Sequence, residues 1–304
     1  MTDTQTLTAE APGRPLPEHI SIWGELADTD HVLRHVDVGG VRTRVLQAGS
    51  GPDLILLHGT GGHLEAFARD IAPLAERFRV TAYDMVGHGW SALPDRHYTI
   101  DVLSAHLLGL MDALGIERAH LSGESLGGWV AAWTGAHAPD RVDRLVLNTP
   151  GNITDKPDVM ARMRDSTLAA VRTPDDATVR SRVAFLFHHK EQVTDELVDL
   201  RRSIYSRPGF EQAIRNTLVL QDWAIRKDFA WRAEWVSRIA APTLLLWTDH
   251  DPTAGVGEAE LLLEWIPDSR LEVIEDAGHW PQWEAREEFL AAHTRFLLDG
   301  KDPS

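Results

Sequence analysis

The chain of 304 residues contains no cysteine, and this absence limits the chemistry open to it. Disulfides, thiolate nucleophiles and cysteine-based zinc sites are excluded, so any nucleophile must come from another residue type. Long apolar runs are also missing. The longest, such as residues 244–247, have the length of a strand, whereas a membrane span needs roughly 20 residues. We therefore expect no membrane partner.

Positive charge is scarce. Lysine and arginine together number 30 against 46 aspartates and glutamates, which gives a formal net charge of −16 at pH 7. Because nucleic-acid binding depends on basic side chains that neutralise phosphates, this balance argues against such a partner. The first residues lack the basic start and apolar middle of a secretory signal, so we expect a flexible tail over residues 1–18 and a cytoplasmic protein.

Short aliphatic runs alternate with longer helical patterns along most of the chain, which predicts an α/β fold with a mostly parallel central sheet flanked by helices. Two alternating runs around Gly39 and Gly40 predict a hairpin over residues 35–48. Further strands are expected at residues 54–57, 79–83, 119–121, 142–147, 243–247 and 270–274. Helices are expected at residues 66–78, 100–114, 126–138, 259–265 and 284–298.

The alternation stops between residues 151 and 235, where the pattern is helical and rich in charge. Open α/β sheets bind ligands beyond the carboxyl ends of their strands. We therefore expect a helical cap at residues 151–235, inserted into a core formed by residues 19–150 and 236–304.

A candidate nucleophile lies in the sequence G-E-S-L-G at residues 123–127, which fits the pattern G-x-S-x-G. A serine at a sharp turn from strand to helix has strained backbone geometry and an exposed hydroxyl. The flanking glycines allow the strand and helix to pack closely. The predicted strand before Ser125 and the predicted helix after it favour a nucleophile over an ordinary helix cap.

An oxyanion hole is predicted from the sequence H-G-T-G-G at residues 58–62, directly after a predicted buried strand. In folds with a nucleophile elbow, one backbone N–H of this loop acts together with the N–H that follows the nucleophile. We expect the donors to be Thr60, with Gly61 as the next candidate, and Leu126.

The base and the acid should follow the serine along the chain. His279 is the preferred base, because it alone lies in a glycine-flanked loop between a late strand and the last helix. The loop after the strand at residues 243–247 offers two aspartates. Asp251, further out in the loop, is preferred for reaching the imidazole, and Asp249 is the alternative.

With these motifs, residues 35–298 resemble the α/β-hydrolase superfamily. The sequence G-H-W-P-Q-W-E at residues 278–284 is similar to G-H-W-x-Q-W-E of the meta-cleavage-product hydrolases, which break a carbon–carbon bond in vinylogous 1,5-diketones from aromatic-ring degradation. The resemblance implies that Trp280 lines the substrate site. Residues 194–201 are similar to the segment that carries the group's cap arginine, which implies that Arg201 binds the dienoate carboxylate, with Arg202 as the alternative. Where the group usually has asparagine before the nucleophile, this chain has Glu124.

The expected function is therefore hydrolysis of a C–C bond in a 2-hydroxy-6-oxo-dienoate, with a carboxylesterase or lactonase as the alternative. Phe185, Leu186, Phe187 and Trp223 are expected to supply an apolar wall, with an ordinary stripe of core residues as the alternative, and Glu124 to line the site. This chemistry requires no metal and no organic cofactor. A catalytically inactive binding protein and a cofactor-free dioxygenase or haloperoxidase are further alternatives, and the sequence leaves open whether the chain forms a homo-oligomer.

Overall fold

The computed structural model describes residues 21–299, so the tail expected over residues 1–18 lies outside the described residues. One eight-stranded sheet dominates it, with the spatial order β1-β2-β4-β3-β5-β6-β7-β8. The pairs β1–β2 and β2–β4 are antiparallel and the others are parallel. The strands are β1 (His31–Val38), β2 (Val41–Ala48), β3 (Asp53–Leu57), β4 (Arg79–Tyr83), β5 (Ala119–Glu124), β6 (Val142–Asn148), β7 (Thr243–Thr248) and β8 (Ser269–Ile274).

Helices cover both faces of this sheet. Those that follow strands of the core are α1 (Ala68–Ala75), α2 (Ile100–Leu114), α3 (Leu126–His137), α10 (Val256–Trp265), α11 (Pro281–Glu284) and α12 (Arg286–Leu297). Alternate residues of β3 serve the two faces, because successive side chains of a strand point in opposite directions. Leu54 and Leu56 pack in the same apolar cluster as residues of α1 and α12, whereas Ile55 and Leu57 pack with residues of α2, α3 and α10.

Between β6 and β7 the chain contains only helices and turns. These helices are α4 (Pro157–Arg172), α5 (Asp176–Ala184), α6 (Asp195–Tyr205), α7 (Phe210–Leu218), α8 (Trp223–Arg226) and α9 (Ala233–Val236). The helical pattern predicted for this stretch is confirmed, while its boundaries as a separate cap at residues 151 and 235 stay a prediction.

The hairpin around Gly39 and Gly40 and every predicted strand are present. The closing helix expected over residues 284–298 is present as α12. It begins at Arg286 because Ala285, with φ −129° and ψ 56°, is not helical, and the short α11 precedes it. Among the helices of residues 21–299, none combines the length and the apolarity needed to cross a bilayer.

Candidate active site

Ser125 occupies the turn between β5 and α3, with φ 54° and ψ −114°. This is an unfavourable conformation for a residue with a side chain, so the surrounding structure must enforce it. Close packing does so. A Cβ at Gly123 would lie 2.3 Å from the Gly127 carbonyl oxygen, and one at Gly127 would lie 2.2 Å from the Leu57 carbonyl oxygen. The two glycines of the G-x-S-x-G pattern are therefore the residues that allow β5, β3 and α3 to approach each other.

The loop after β3 lies beside this turn, because β3 and β5 are neighbours in the sheet. Thr60 and Leu126 both line a cavity that reaches Ser125. Leu126 is the first residue of α3, where backbone N–H groups have no intrahelical acceptor. Gly61 has φ 67°, its carbonyl accepts a hydrogen bond from the Tyr205 hydroxyl at 3.2 Å, and it is not part of the cavity lining. Of the three predicted oxyanion residues, the structure thus brings Thr60 and Leu126 to the serine.

His279 and Asp251 meet although 28 residues separate them, with Nδ1 and Oδ2 2.6 Å apart. The other carboxylate oxygen of Asp251 accepts hydrogen bonds from the Thr253 backbone N–H at 2.6 Å and from the Thr253 hydroxyl at 2.7 Å, which holds the carboxylate in place. Asp249 points elsewhere. It accepts a bond from the Ala277 N–H at 3.4 Å and is exposed. The structure therefore pairs the histidine with Asp251 and not with Asp249.

The other nitrogen of the histidine faces Glu124. Its Oε1 lies 3.1 Å from His279 Nε2, and both side chains are almost completely buried. The second carboxylate oxygen of Glu124 has no hydrogen-bond partner among the described residues. Among the hydrogen bonds of residues 21–299, none joins Ser125 to His279, although both side chains line the same cavity. Catalytic hydrogen bonds are often long or misaligned before substrate binds.

Two carboxylates therefore surround the imidazole and set its charge. Burial lowers the pKa of His279, but the attraction and hydrogen bonding of Asp251, together with those of Glu124, outweigh burial and raise that pKa to about 10. Burial raises the pKa of Asp251, and its interactions with His279 and Thr253 lower it further than that, so the net direction is downward. The two carboxylates therefore favour the imidazolium form of His279.

Two adjoining cavities meet at Ser125, and both are lined by Thr60 and Met163 as well. The inner cavity contains the charged side chains of Glu124, Arg182 and Arg201 beside His279, and is lined additionally by Gly59, Gly62, Leu186 and Trp280. The outer cavity has several apolar walls, which include Leu126, Met160, Leu218 and Leu220. A substrate with a charged end and an apolar end would thus find a matching environment on each side of the serine.

Arg201 lies in the inner cavity with only 1% of its surface exposed. None of its three guanidinium nitrogens has a hydrogen-bond partner within residues 21–299, and the group lies 5.1 Å from the centre of the Trp280 ring. Arg202, the alternative from sequence, is exposed and binds Asp199. Leu186 lines the inner cavity, and Phe187 is buried and packs on Trp280 with ring centres 5.6 Å apart. Phe185 and Trp223 line neither cavity, and Trp223 is exposed.

Arg182 lines the inner cavity although no sequence motif pointed to it. Burial lowers the pKa of this arginine to about 10, its Nε donates to the Thr167 hydroxyl at 2.9 Å, and its Nη1 has no partner among the described residues. Nothing in the local sequence of α5 distinguishes Arg182 from the neighbouring, partly exposed Arg180, since burial of one side of a helix depends on how the helix packs. The inner cavity therefore holds two buried guanidinium groups.

The chain belongs to the α/β-hydrolase fold family, whose model matches residues 52–286, and it is a hydrolase of that family. It is 31% identical to the 2-hydroxymuconate semialdehyde hydrolase of Pseudomonas sp. (strain CF600), over 90% of this chain and 96% of that one. A crystal structure of a meta-cleavage product hydrolase from Pseudomonas fluorescens IP01 is similar with a TM-score of 0.77 and 29% identity, over 87% of this chain and 97% of the other. An enol-lactonase from Burkholderia xenovorans LB400 is also similar, with a TM-score of 0.73, 26% identity and coverage of 87% and 100%.

Proposed function

We propose that the chain hydrolyses a C–C bond in a 2-hydroxy-6-oxo-dienoate-type meta-cleavage product, with Ser125, His279 and Asp251 as its catalytic residues. The relatives named for hydrolysis of such compounds support this substrate class. The observation that carries the proposal is the buried Arg201 guanidinium, which has no partner of its own and lies in the same cavity as Ser125.

An unpaired charge inside a protein is costly, because it loses water without gaining a partner. A substrate carboxylate would remove this cost through a bidentate pair with Arg201. Arg182 would contribute a further donor from its free Nη1. The acyl end of the substrate would then extend past Ser125 into the apolar outer cavity.

In this orientation the reaction begins with a tautomerisation. His279 assists transfer of the 2-hydroxyl proton to C5, so that the enol becomes a ketone. The Ser125 hydroxyl then adds to the C6 carbonyl and gives its proton to the imidazole, while the N–H groups of Thr60 and Leu126 stabilise the oxyanion.

Cleavage follows from collapse of this adduct. The C5–C6 electron pair moves into the dienolate, whose C2 oxygen takes the charge and receives the proton from His279, so that a 2-hydroxydienoate is released. Water then hydrolyses the acyl-Ser125 ester with His279 as the base, releasing a carboxylic acid. Asp251 holds the imidazole in one orientation and stabilises its charged form.

Glu124 affects this reaction because it lies beside His279 Nε2, the imidazole nitrogen that must receive the serine proton. The Glu124 carboxylate favours the imidazolium and competes with Ser125 for His279 Nε2. We infer that substrate binding in the inner cavity changes this contact and frees the imidazole for the serine.

Replacing Glu124 by glutamine should move the acidic limb of the kcat/KM profile to lower pH by about one unit. The carboxylate raises the pKa of His279, so its removal lowers that pKa, and the neutral imidazole that acts as base is then present at lower pH. The measurement is a pH profile of kcat/KM for the variant and for the original chain.

Glu211→Gln is the matched control, because Glu211 is an exposed cap carboxylate that pairs with Arg172 and Arg215. Its profile should coincide with that of the original chain. An acidic limb in Glu124→Gln that stays in place or moves to higher pH would contradict the role assigned to Glu124.

The substrate class is tested by comparing a meta-cleavage dienoate with a neutral short-chain ester, with and without Arg201→Met. We expect efficient dienoate turnover, followed as loss of its visible absorbance, and a fall of about 10²- to 10³-fold in kcat/KM for the variant. Ester turnover should change little, because an uncharged ester has no carboxylate for Arg201 to bind.

Arg202→Met provides the control, since Arg202 is the exposed neighbour of Arg201, and its dienoate kinetics should be unchanged. Ester hydrolysis without dienoate turnover would identify a carboxylesterase or lactonase instead, and the similar enol-lactonase makes this the second candidate. Substrate-dependent oxygen consumption would indicate a dioxygenase, and binding without turnover would indicate a binding protein.

A further inference from the structure

A cluster of metal-ligating side chains lies at the surface, outside both cavities. His188 and His189 follow α5, and Asp276 lies between β8 and His279. The Nε2 atom of His188 is 3.4 Å from Asp276 Oδ1, and the Nε2 atom of His189 is 3.1 Å from Asp276 Oδ2. All three ligand atoms lie within 4.8 Å of one another. The proposed reaction uses none of these side chains.

Backbone hydrogen bonds hold the two segments of this cluster together. The Glu284 carboxylate accepts bonds from the His189 N–H at 2.7 Å and from the Gly278 N–H at 2.9 Å. The His279 N–H donates to the Leu186 carbonyl at 2.7 Å. The spacing of the three side chains is therefore set by structure on both sides of the junction between the inserted helices and the His279 loop.

The two imidazoles are also oriented individually. His188 stacks on His250 with ring centres 3.8 Å apart and an angle of 5°. Glu191 Oε1 lies 3.3 Å from His189 Nδ1, which leaves Nε2 directed at Asp276. A carboxylate on the far nitrogen of an imidazole is the arrangement that commonly orients a histidine ligand of a metal ion.

We propose that His188, His189 and Asp276 bind one divalent transition-metal ion such as Zn²⁺. Two imidazoles and a carboxylate suit Zn²⁺, Ni²⁺ or Cu²⁺, whereas Mg²⁺ and Ca²⁺ prefer oxygen ligands alone. Ligand atoms at about 2.0–2.1 Å from a tetrahedral ion lie about 3.3 Å apart, and the three ligand atoms of this cluster lie within 4.8 Å of one another. Because the cluster is open to solvent, water would complete the coordination.

An ion at this position would join the segment that carries Leu186 to the loop that carries His279. Since metal binding to the folded state alone raises the stability of that state, we expect the junction to become more resistant to opening. The proposal concerns binding and stability, so it does not depend on the substrate class assigned above.

Titration calorimetry of the untagged full chain with ZnCl₂ at pH 7.5, after removal of metal with EDTA, tests the site. We expect saturable binding of one ion that becomes at least about tenfold weaker in both Asp276→Asn and His189→Gln. Asparagine suits position 276 because the φ there is 57°. The visible absorption of bound Co²⁺ should report imidazole and carboxylate coordination, and both variants should lose it.

His137→Gln is the matched control, since His137 is an exposed histidine at the end of α3 that stacks on Trp133 and should not alter binding. Circular dichroism verifies that each variant is folded. Absence of saturable Zn²⁺ binding by the original chain would overturn the proposal, as would equal affinity in the folded Asp276→Asn and His189→Gln variants.

Discussion

Replacing Ser125 by alanine should lower kcat on the preferred substrate by a factor on the order of 10⁴ or more. The serine is the only nucleophile in the proposed reaction, and its backbone conformation presents the hydroxyl where both cavities meet. Neither the oxyanion donors nor the imidazole can form the covalent adduct without it. Steady-state kinetics on the dienoate measure the loss.

Ser122 offers a matched control three residues earlier on β5, where it is buried and bonded to His293 Nε2 at 2.8 Å. Ser122→Ala removes a buried hydroxyl without touching either cavity, so it should cost about 1 kcal/mol of stability and leave kcat within about threefold. A Ser125→Ala variant that keeps more than about a tenth of the original kcat would rule out the nucleophilic mechanism.

Asp251→Asn should reduce kcat by roughly 10⁴-fold. The carboxylate accepts from His279 Nδ1 at 2.6 Å, and an amide in its place no longer enforces the tautomer that leaves Nε2 free to receive a proton. The amide also lacks the negative charge that stabilises the imidazolium. The loss should therefore appear mainly in kcat, with substrate affinity retained, and stopped-flow measurements of binding and turnover separate the two.

Asp249→Asn is the control, because this aspartate comes two residues earlier in the same loop and does not contact the imidazole. We expect its kcat to stay within about threefold of the original. The reverse result, with a large loss in Asp249→Asn and a small one in Asp251→Asn, would transfer the role of the acid to Asp249.

Local sequence patterns were sufficient to predict those features of this protein that depend on neighbouring residues in the chain. The alternating runs predicted the strands, and the G-x-S-x-G pattern predicted the turn at Ser125, because close packing there requires a glycine on each side of the serine. The loop containing His279 was identified by its place between a strand and a helix. The closing helix was predicted with both ends within two residues of those of α12.

Contacts between distant residues could not be obtained in this way. The sequence has Asp249 and Asp251 two residues apart in one loop, and it favoured Asp251 without showing a contact. Only the packing of β7 beside β8 shows which carboxylate reaches His279. The position of Glu124 next to His279 Nε2 depends on the same convergence. Arg182 is buried and lines a cavity because of the way α5 packs, and the sequence of α5 contains no pattern that predicts this.

The sequence by itself determined the class of fold, the nucleophile turn and the histidine loop, because hydrophobic period and glycine placement act over a few residues. The tertiary structure alone decided which charged groups face one another: it places the imidazole between two carboxylates and two buried arginines in a cavity beside the serine. These pairings join residues more than 25 positions apart, and their energies depend on burial, which no short stretch of sequence specifies.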